Sequence, residues 1–202
     1  MITYSYENFL ANIMSFWVVA ILPEIMQNNL NITNKELLSS YCGQFYSFFY
    51  FGIVMGAFMW PTIINYLSKR NSIFLSILMM GLTNYLMSKT INLNYIFFLR
   101  FLCGLFHNLN SVGKDFVYEF AKDKYRLYNF TAKTQFAFIA SFIGPFFGFH
   151  LYQWCGKDFG LAVTYMTGFV LLGIVLFIVV FYVDFRECIE GEEEVNNMCI
   201  KC

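Results

Sequence analysis

The chain has 202 residues, of which 58% are hydrophobic, 21% aromatic and only 13% charged. A soluble domain has about 25% charged residues, so this composition indicates that lipid surrounds much of the chain. Lys+Arg and Asp+Glu balance at 13 each, which leaves no net field to attract nucleic acid. The length suits one compact unit rather than two domains.

Six mainly apolar segments follow one another along the chain, each near the roughly 20 residues that a bilayer-spanning helix needs. Their predicted bounds are 8–27, 38–64, 72–88, 95–120, 134–153 and 160–183. After residue 184 the chain loses its hydrophobicity and turns acidic. The sequence therefore predicts an all-α membrane protein, with a six-helix transmembrane domain over residues 1–185 and a solvated acidic tail over 186–202.

The basic residues of the short connectors predict how the spans are oriented, because cytoplasmic loops carry an excess of Lys and Arg. The connectors after spans two and four hold Lys69, Arg70, Lys122, Lys124 and Arg126, whereas the opposite-side connectors hold Lys35, Lys89 and Lys157. Both termini, including the acidic tail, are therefore predicted to face the cytoplasm. The glycosylation sequon at residues 31–33 then lies on the outer or luminal side.

Span four carries a polar stripe. Its members are Arg100, Gly104, His107, Ser111, Lys114 and Tyr118. They follow one another at alternating steps of four and three, which places them on one helix face. Ionisable groups within a span are costly in lipid, so this face must meet neighbouring helices or a cavity.

The charges of this stripe have two interpretations. We expect Arg100 and Lys114 to face a cavity. Asp115 and Glu119 lie beside the stripe near the cytoplasmic end, where they either join the cavity or pair locally. His107 lies deep in the span, where a hydrogen-bonded packing role and a place in a substrate path are both open.

Span one contains Glu24 directly after Pro23. Proline interrupts a transmembrane helix and frees a backbone carbonyl, and broken helices line the substrate sites of transporters. Glu24 is therefore either part of a substrate path or a residue of the outer interface, and the second interpretation is favoured.

Two pairs of glycines at a spacing of four predict close helix packing, because a small residue lets two backbones approach. One pair is Gly52 and Gly56 in span two, and the other is Gly144 and Gly148, which flank Pro145 in span five.

The sequence predicts no catalytic or metal centre. Only 2 His occur, and no zinc-protease, nucleophile-elbow or phosphate-loop motif is present. Cys199 and Cys202 have the spacing of half a zinc site, but no second pair accompanies them, so free thiols are expected. We therefore expect neither an enzyme nor a bound cofactor.

Two of these motifs resemble signatures of the major facilitator superfamily. Arg100-Phe-Leu-Cys-Gly104 resembles the R-F-L-x-G opening of the fourth span, with Lys114, Glu119 and Tyr125 where one branch has Lys, Glu and Tyr. Gly144-Pro145-Phe-Phe-Gly148 resembles the antiporter motif G-P-x-x-G. That branch comprises the zinc-induced facilitator-like and tetracycline-resistance-type carriers.

The connector after span two departs from the family pattern G-x-x-x-D-R-x-G-R-[KR]. Lys69 and Arg70 retain its basic end, whereas the Asp and Arg of the family's gating network are absent. This departure puts normal conformational switching in question.

The resemblance implies the N-terminal six-helix half of such a carrier, built from two inverted three-helix repeats. It implies a substrate path along spans one, two, four and five, with Arg100, His107, Lys114, Glu119 and Glu24 as candidates. It also implies gating or packing by Gly104, Gly144, Pro145, Gly148, Lys69 and Arg70.

The implied function is secondary active transport of small molecules, of a proton-coupled antiport lineage. Full members have twelve spans, so the expected partners, besides lipid and a small-molecule or ionic substrate, are a second copy of the chain or a missing second half. The alternative is a non-transporting membrane subunit or degenerate fragment that acts through a partner.

Overall fold

The computed structural model of the chain describes residues 2–30, 34–67, 69–90, 92–107, 123–169, 172–173 and 175. The described residues form seven helices and no strand, so the prediction of an all-α protein is confirmed. The helices are α1 (Ile2–Phe16), α2 (Leu22–Leu30), α3 (Lys35–Tyr66), α4 (Lys69–Ser88), α5 (Leu93–Phe106), α6 (Asp123–Trp154) and α7 (Phe159–Phe169).

Span one, predicted over residues 8–27 with Pro23 interrupting it, is divided by a turn at 17–21 that separates α1 from α2. Pro23 has no N–H to give to the carbonyl of Val19, four residues earlier, and its ring disfavours helical backbone before it. The turn is tightened, since the Val19 N–H bonds to the Phe16 carbonyl at 3.0 Å. The proline therefore interrupts the span about one helical turn before its own position in the sequence.

α5 is the described part of span four. α5 ends at Phe106, and the His107 N–H bonds back to the Gly104 carbonyl. Two side chains complete this end: the Trp60 indole donates to the Leu105 carbonyl at 2.8 Å, and the Ser76 hydroxyl donates to the Phe106 carbonyl. The rest of the predicted span lies outside the described residues.

The remaining boundaries show where hydropathy is informative. Both ends of α3 and α4, and the start of α7, lie within three residues of the predicted bounds. α3 starts after Asn34, whose side chain accepts from the backbone N–H groups of Glu36 and Leu37, as an N-cap residue does. α6 was predicted to begin at 134 but begins at Asp123. Its first turns are polar, and a hydropathy criterion does not register a polar helix.

Close backbone contacts hold the helices together. A Cβ added to Gly52 of α3 would overlap the Phe101 carbonyl of α5, and one on Gly56 would lie 2.6 Å from the Leu105 carbonyl. On α5, Gly104 lies against the Phe49 carbonyl. The close approach that the Gly52 and Gly56 spacing predicts is therefore confirmed.

α1 and α6 form a second extensively packed pair. Gly144 faces the backbone of Ile13, and Gly148 lies against the Trp17 carbonyl. The glycines flanking Pro145 thus contact α1 and the first residue of the turn that follows it.

Polar side chains are buried and apolar side chains are exposed in the described part of the chain. The buried polar residues are Asn12, Ser15, Ser72, Ser76, Thr83, Asn84, Arg100 and His107. On the outside, Phe58, Phe138 and Phe142 are 77%, 73% and 83% exposed. Soluble monomers rarely present broad apolar surfaces, whereas membrane proteins turn their ionisable groups toward the bundle interior. This arrangement is that of a helix bundle surrounded by lipid.

Two described helices, Lys35–Tyr66 and Phe130–Trp154, are long and apolar enough to cross a membrane. Three shorter apolar helices, Phe74–Ser88, Leu93–Phe106 and Phe159–Phe169, accompany them. The count of six spans, their pairing into inverted repeats and the orientation of the termini stay predictions. The acidic tail at 186–202 lies outside the described residues.

Candidate functional site

Arg100 is the central charged group of the bundle. Its side chain is fully buried, and its guanidinium donates to the Ser15 carbonyl at 2.7 Å. The guanidinium carbon lies 4.2 Å from the ring centroid of Phe49 and 4.6 Å from that of Phe45. Within the described residues no carboxylate lies within ion-pair distance of it. The cation is therefore held by a carbonyl dipole and two aromatic faces.

The Ser15 carbonyl can accept this bond because the helix is interrupted beyond it. In a continuous α-helix that carbonyl would receive the Val19 N–H, which here bonds to Phe16 instead. The Ser15 hydroxyl is also occupied, since it donates to the Ala11 carbonyl at 2.8 Å. The break in span one thus creates an acceptor for the buried cation of α5.

A second carbonyl at the break has a partner on α3. The Val19 carbonyl, which Pro23 cannot serve, accepts the Tyr46 hydroxyl at 3.4 Å. Two carbonyls that the break frees, one at the end of α1 and one in the turn, are thus bonded by side chains of two different helices. Neither Ser15 nor Tyr46 was singled out from the sequence, and the only local sign of these contacts is the proline that releases a backbone acceptor.

We expect Tyr46→Phe to lower the stability of the folded protein by about 1 kcal/mol, the typical net worth of one hydrogen bond. The variant keeps the aromatic ring and removes only the hydroxyl that serves Val19. Tyr50→Phe, one turn further along the same helix and 53% exposed, is the matched control. Thermal unfolding of both variants in the same detergent checks this, and equal unfolding temperatures would contradict the assigned contact.

His107 lies beside the same aromatic pair. Its ring centroid is 5.3 Å from that of Phe49 and 6.5 Å from that of Phe16, both in edge-to-face geometry. The side chain is buried, and its Nε2 atom has no hydrogen-bond partner. Arg100 and His107 therefore both contact the ring of Phe49.

Buried amides and hydroxyls surround α5 on its α4 side. The Asn84 amide donates to the Met80 carbonyl at 2.9 Å and lies 3.9 Å from the Cys103 sulfur, which is equally far from the Arg100 guanidinium. The Asn84 carbonyl oxygen has no partner. The sequence shows these polar residues inside an apolar span, but they were not among the predicted site residues.

The other end of the bundle contains a tight turn between α6 and α7. The Gly156 N–H bonds to the Gln153 carbonyl and the Lys157 N–H to the Tyr152 carbonyl, and Gly156 and Lys157 both have a φ of 65°. This pair of bonds ends a helix where glycine takes the left-handed conformation. Asp158 then starts α7, because its carboxylate accepts the Leu161 N–H at 3.1 Å.

Glu24 meets this turn rather than the Arg100 cluster. Its carboxylate lies 2.7 Å from the Lys157 ammonium, and the two side chains are 28% and 53% exposed. Exposed pairs contribute little to stability, because water and salt screen them. The pair links α2 to the α6–α7 turn.

We expect Lys157→Gln to cause a small loss of thermal stability that depends on pH. The hydrogen bond to Glu24 raises the pKa of Lys157 above its ordinary 10.5. A raised folded-state pKa gives stability that is complete below the unfolded pKa and is lost as pH rises through the folded value. The difference from wild type should therefore be constant from neutral pH to about pH 10 and vanish above. Lys35→Gln serves as control, and a difference that persisted at the highest pH would contradict the pair.

The remaining candidates divide into two groups. Gly104, Gly144 and Gly148 lie at backbone contacts between helices. Lys114 and Glu119 fall outside the described residues, as do the side chains of Lys69 and Arg70. The structure thus brings Arg100, His107 and Gly104 together, and places Glu24 in a separate contact.

A polar interior within an apolar helix bundle defines an integral membrane protein. The chain matches the family model of the Major Facilitator Superfamily over residues 8–189. It therefore belongs to that family, whose members are membrane transporters of small molecules. A comparison with curated proteins gives no match.

Proposed function

We propose that the chain is a secondary active transporter of proton-coupled antiport lineage, of the zinc-induced facilitator-like and tetracycline-resistance-type branch. The observation that carries this proposal is the buried Arg100 cation, bonded to a carbonyl that is free because span one is broken. Broken helices supply such acceptors at the substrate sites of transporters, and an intramembrane charge marks a substrate or ion pathway.

In this proposal Arg100 orients the substrate or responds to the coupling proton. Its bond to Ser15 joins α5 to the interruption in span one, so a change in what Arg100 binds changes the restraint on that turn. His107, which shares the Phe49 ring, completes the path. Glu24 lies at its outer end, while Lys114, Glu119, Lys69 and Arg70 gate the cytoplasmic side.

Alternating access rocks one repeat or bundle against another around a fixed site. We propose that the second six-helix unit is supplied either by another copy of the chain or by a second half that this sequence does not include. The chain's termini and acidic tail face the cytoplasm in this arrangement.

The first experiment measures the mass of the detergent-solubilised protein by light scattering, corrected for bound detergent, and then flux in proteoliposomes under an imposed pH gradient. A dimer with substrate flux that follows the gradient supports the proposal. A monomer, or a dimer that is inert across a substrate screen, counts against transport by this chain itself.

A second candidate function is a non-transporting subunit that acts through a partner. The connector after span two favours it, because Lys69 and Arg70 remain while the family's gating Asp and Arg are absent. Gentle extraction in a mild detergent that yields a stable hetero-complex of defined composition would support this function. A transport-competent homodimer would eliminate it.

A further inference from the structure

Two cavities adjoin at the end of the bundle where α6 meets α7. The outer one, which we call the vestibule, has a volume of about 510 Å³ and a rim that includes Ser88, Thr90, Lys157 and Asp158. The inner one measures about 20 Å³ and is lined only by apolar side chains. Four residues line both cavities: Ile25, Met87, Ile96 and Phe159.

One side chain borders both the inner cavity and the Arg100 guanidinium. Phe45 lines that cavity, and its ring is also one of the two that face the Arg100 guanidinium, at 4.6 Å. Val18, inside the break of span one, lines the same cavity. The linings of the two cavities therefore extend from the exposed turn to Phe45, whose ring separates the inner cavity from the buried cation.

The donors of Arg100 are only partly used. A guanidinium has five N–H donors in a planar fork, whereas the bonds in the described structure go to one carbonyl and, weakly, to the Cys103 sulfur. The Nε atom has no partner. An unpaired buried cation is costly, and a carboxylate that accepts two parallel N–H bonds is its best-matched partner.

The charges near the two cavities favour a monoanion. Arg100 is the buried cation of the described bundle, while Lys157 at the rim is already paired with Glu24. One unpaired positive charge neutralises one carboxylate, but not a phosphate dianion. The aromatic rings of Phe45, Phe49 and Phe159 offer apolar contact to an organic group attached to that carboxylate.

We propose that a small organic monocarboxylate binds Arg100 inside the six-helix unit and reaches it through the vestibule and past Phe45. The inference rests on the proposed function, since it names the substrate class of the same residue. It places the route between α2, α4, α5 and the α6–α7 turn of one unit.

A carboxylate that accepts parallel N–H bonds from both terminal guanidinium nitrogens takes the nitrogen that now bonds to the Ser15 carbonyl. The Ser15 carbonyl gives up its guanidinium bond, and the Val19 N–H is its partner in a regular helix. That N–H now bonds to Phe16, so the exchange allows the turn at 17–21 to wind toward α-helix. Occupation of the site is thereby linked to the shape of span one.

The test measures equilibrium binding of radiolabelled benzoate to the full chain in lipid nanodiscs, with benzamide as the neutral competitor of equal shape. We expect saturable benzoate binding that benzamide does not displace. Arg100→Gln should weaken it by at least about tenfold, as expected when a hydrogen bond to a charged group is lost. Saturable binding that benzamide displaces equally well would overturn the proposal, as would no binding.

A second variant tests the route without touching the cation. Ile96→Trp fills the junction of the two cavities and should lower benzoate binding by about tenfold or more, whereas Tyr95→Trp, next to it and 47% exposed, should leave binding unchanged. Equal binding by both tryptophan variants would overturn the route. Benzoate binding without flux supports this inference and counts against transport. Flux of another solute without benzoate binding supports transport and overturns this inference.

Discussion

Gly52→Ala is expected to destabilise the folded protein strongly, although the substitution adds a single methyl group. That methyl would overlap the Phe101 carbonyl and lie 2.8 Å from the Leu105 nitrogen, both of which are backbone atoms of α5. Backbone cannot turn aside as a side chain can, so the two helices would have to separate. Overpacking costs about 1–3 kcal/mol or more even where side chains can yield. Gel-filtration recovery and thermal unfolding in detergent measure the result.

The chain provides a matched control on the same helix. Gly43 has nothing within 4 Å of an added Cβ, so Gly43→Ala should fold at least as well as wild type, because alanine is favoured over glycine in helices by about 1 kcal/mol. Gly148→Ala, whose Cβ would meet the Trp17 carbonyl, tests the α1–α6 contact in the same way. If Gly52→Ala and Gly43→Ala unfolded at the same temperature, the α3–α5 packing described above would be wrong.

The helices that could be predicted from the sequence are those whose ends coincide with a change in hydropathy. α3 and α4 are of this kind, because Asn34 and the polar connectors bound them on both sides. α6 is not, since its first turns are as polar as a connector. The break in span one was foreseen through Pro23, but its position at 17–21 depends on contacts with α3 and α5.

The candidate site could be predicted only on the helix that carries its charge. Arg100 is conspicuous as an arginine in an apolar segment, and the glycine spacings report local helix geometry. Its partner Ser15 lies 85 residues away in sequence, and the Leu105 carbonyl is 45 residues from Trp60. Such pairs result from tertiary packing, and nothing in the local pattern of either residue identifies the other.

These contacts connect the packing of the bundle to its proposed activity. Gly52 and Gly104 fix α3 against α5 by backbone contact, and this places Phe45 and Phe49 over the Arg100 guanidinium. The same helices supply Tyr46 and Arg100 to the two carbonyls of the broken span. A rigid pair of helices therefore bonds the broken span at two carbonyls, and a change in those bonds is a local event of the kind that a conformational step requires.

Arg100→Gln is expected to fold and to lose transport. Glutamine retains an N–H donor for the Ser15 carbonyl and removes a charge that is fully buried. Replacing a buried charge by a neutral group is often neutral or stabilising when the packing is kept. Initial flux in proteoliposomes, normalised to folded protein, should fall by about tenfold to a hundredfold, the range for losing a hydrogen bond to a charged group.

Arg100→Lys separates charge from geometry. Lysine keeps the positive charge, but its ammonium is a compact point without the planar fork that stacks on Phe45 and Phe49. If charge alone serves the coupling proton, Arg100→Lys should transport nearly as well as wild type. If the fork orients a substrate, it should resemble Arg100→Gln. Lys89→Gln, at an exposed loop residue, is the control for loss of a cation, and undiminished transport by Arg100→Gln would remove Arg100 from the mechanism.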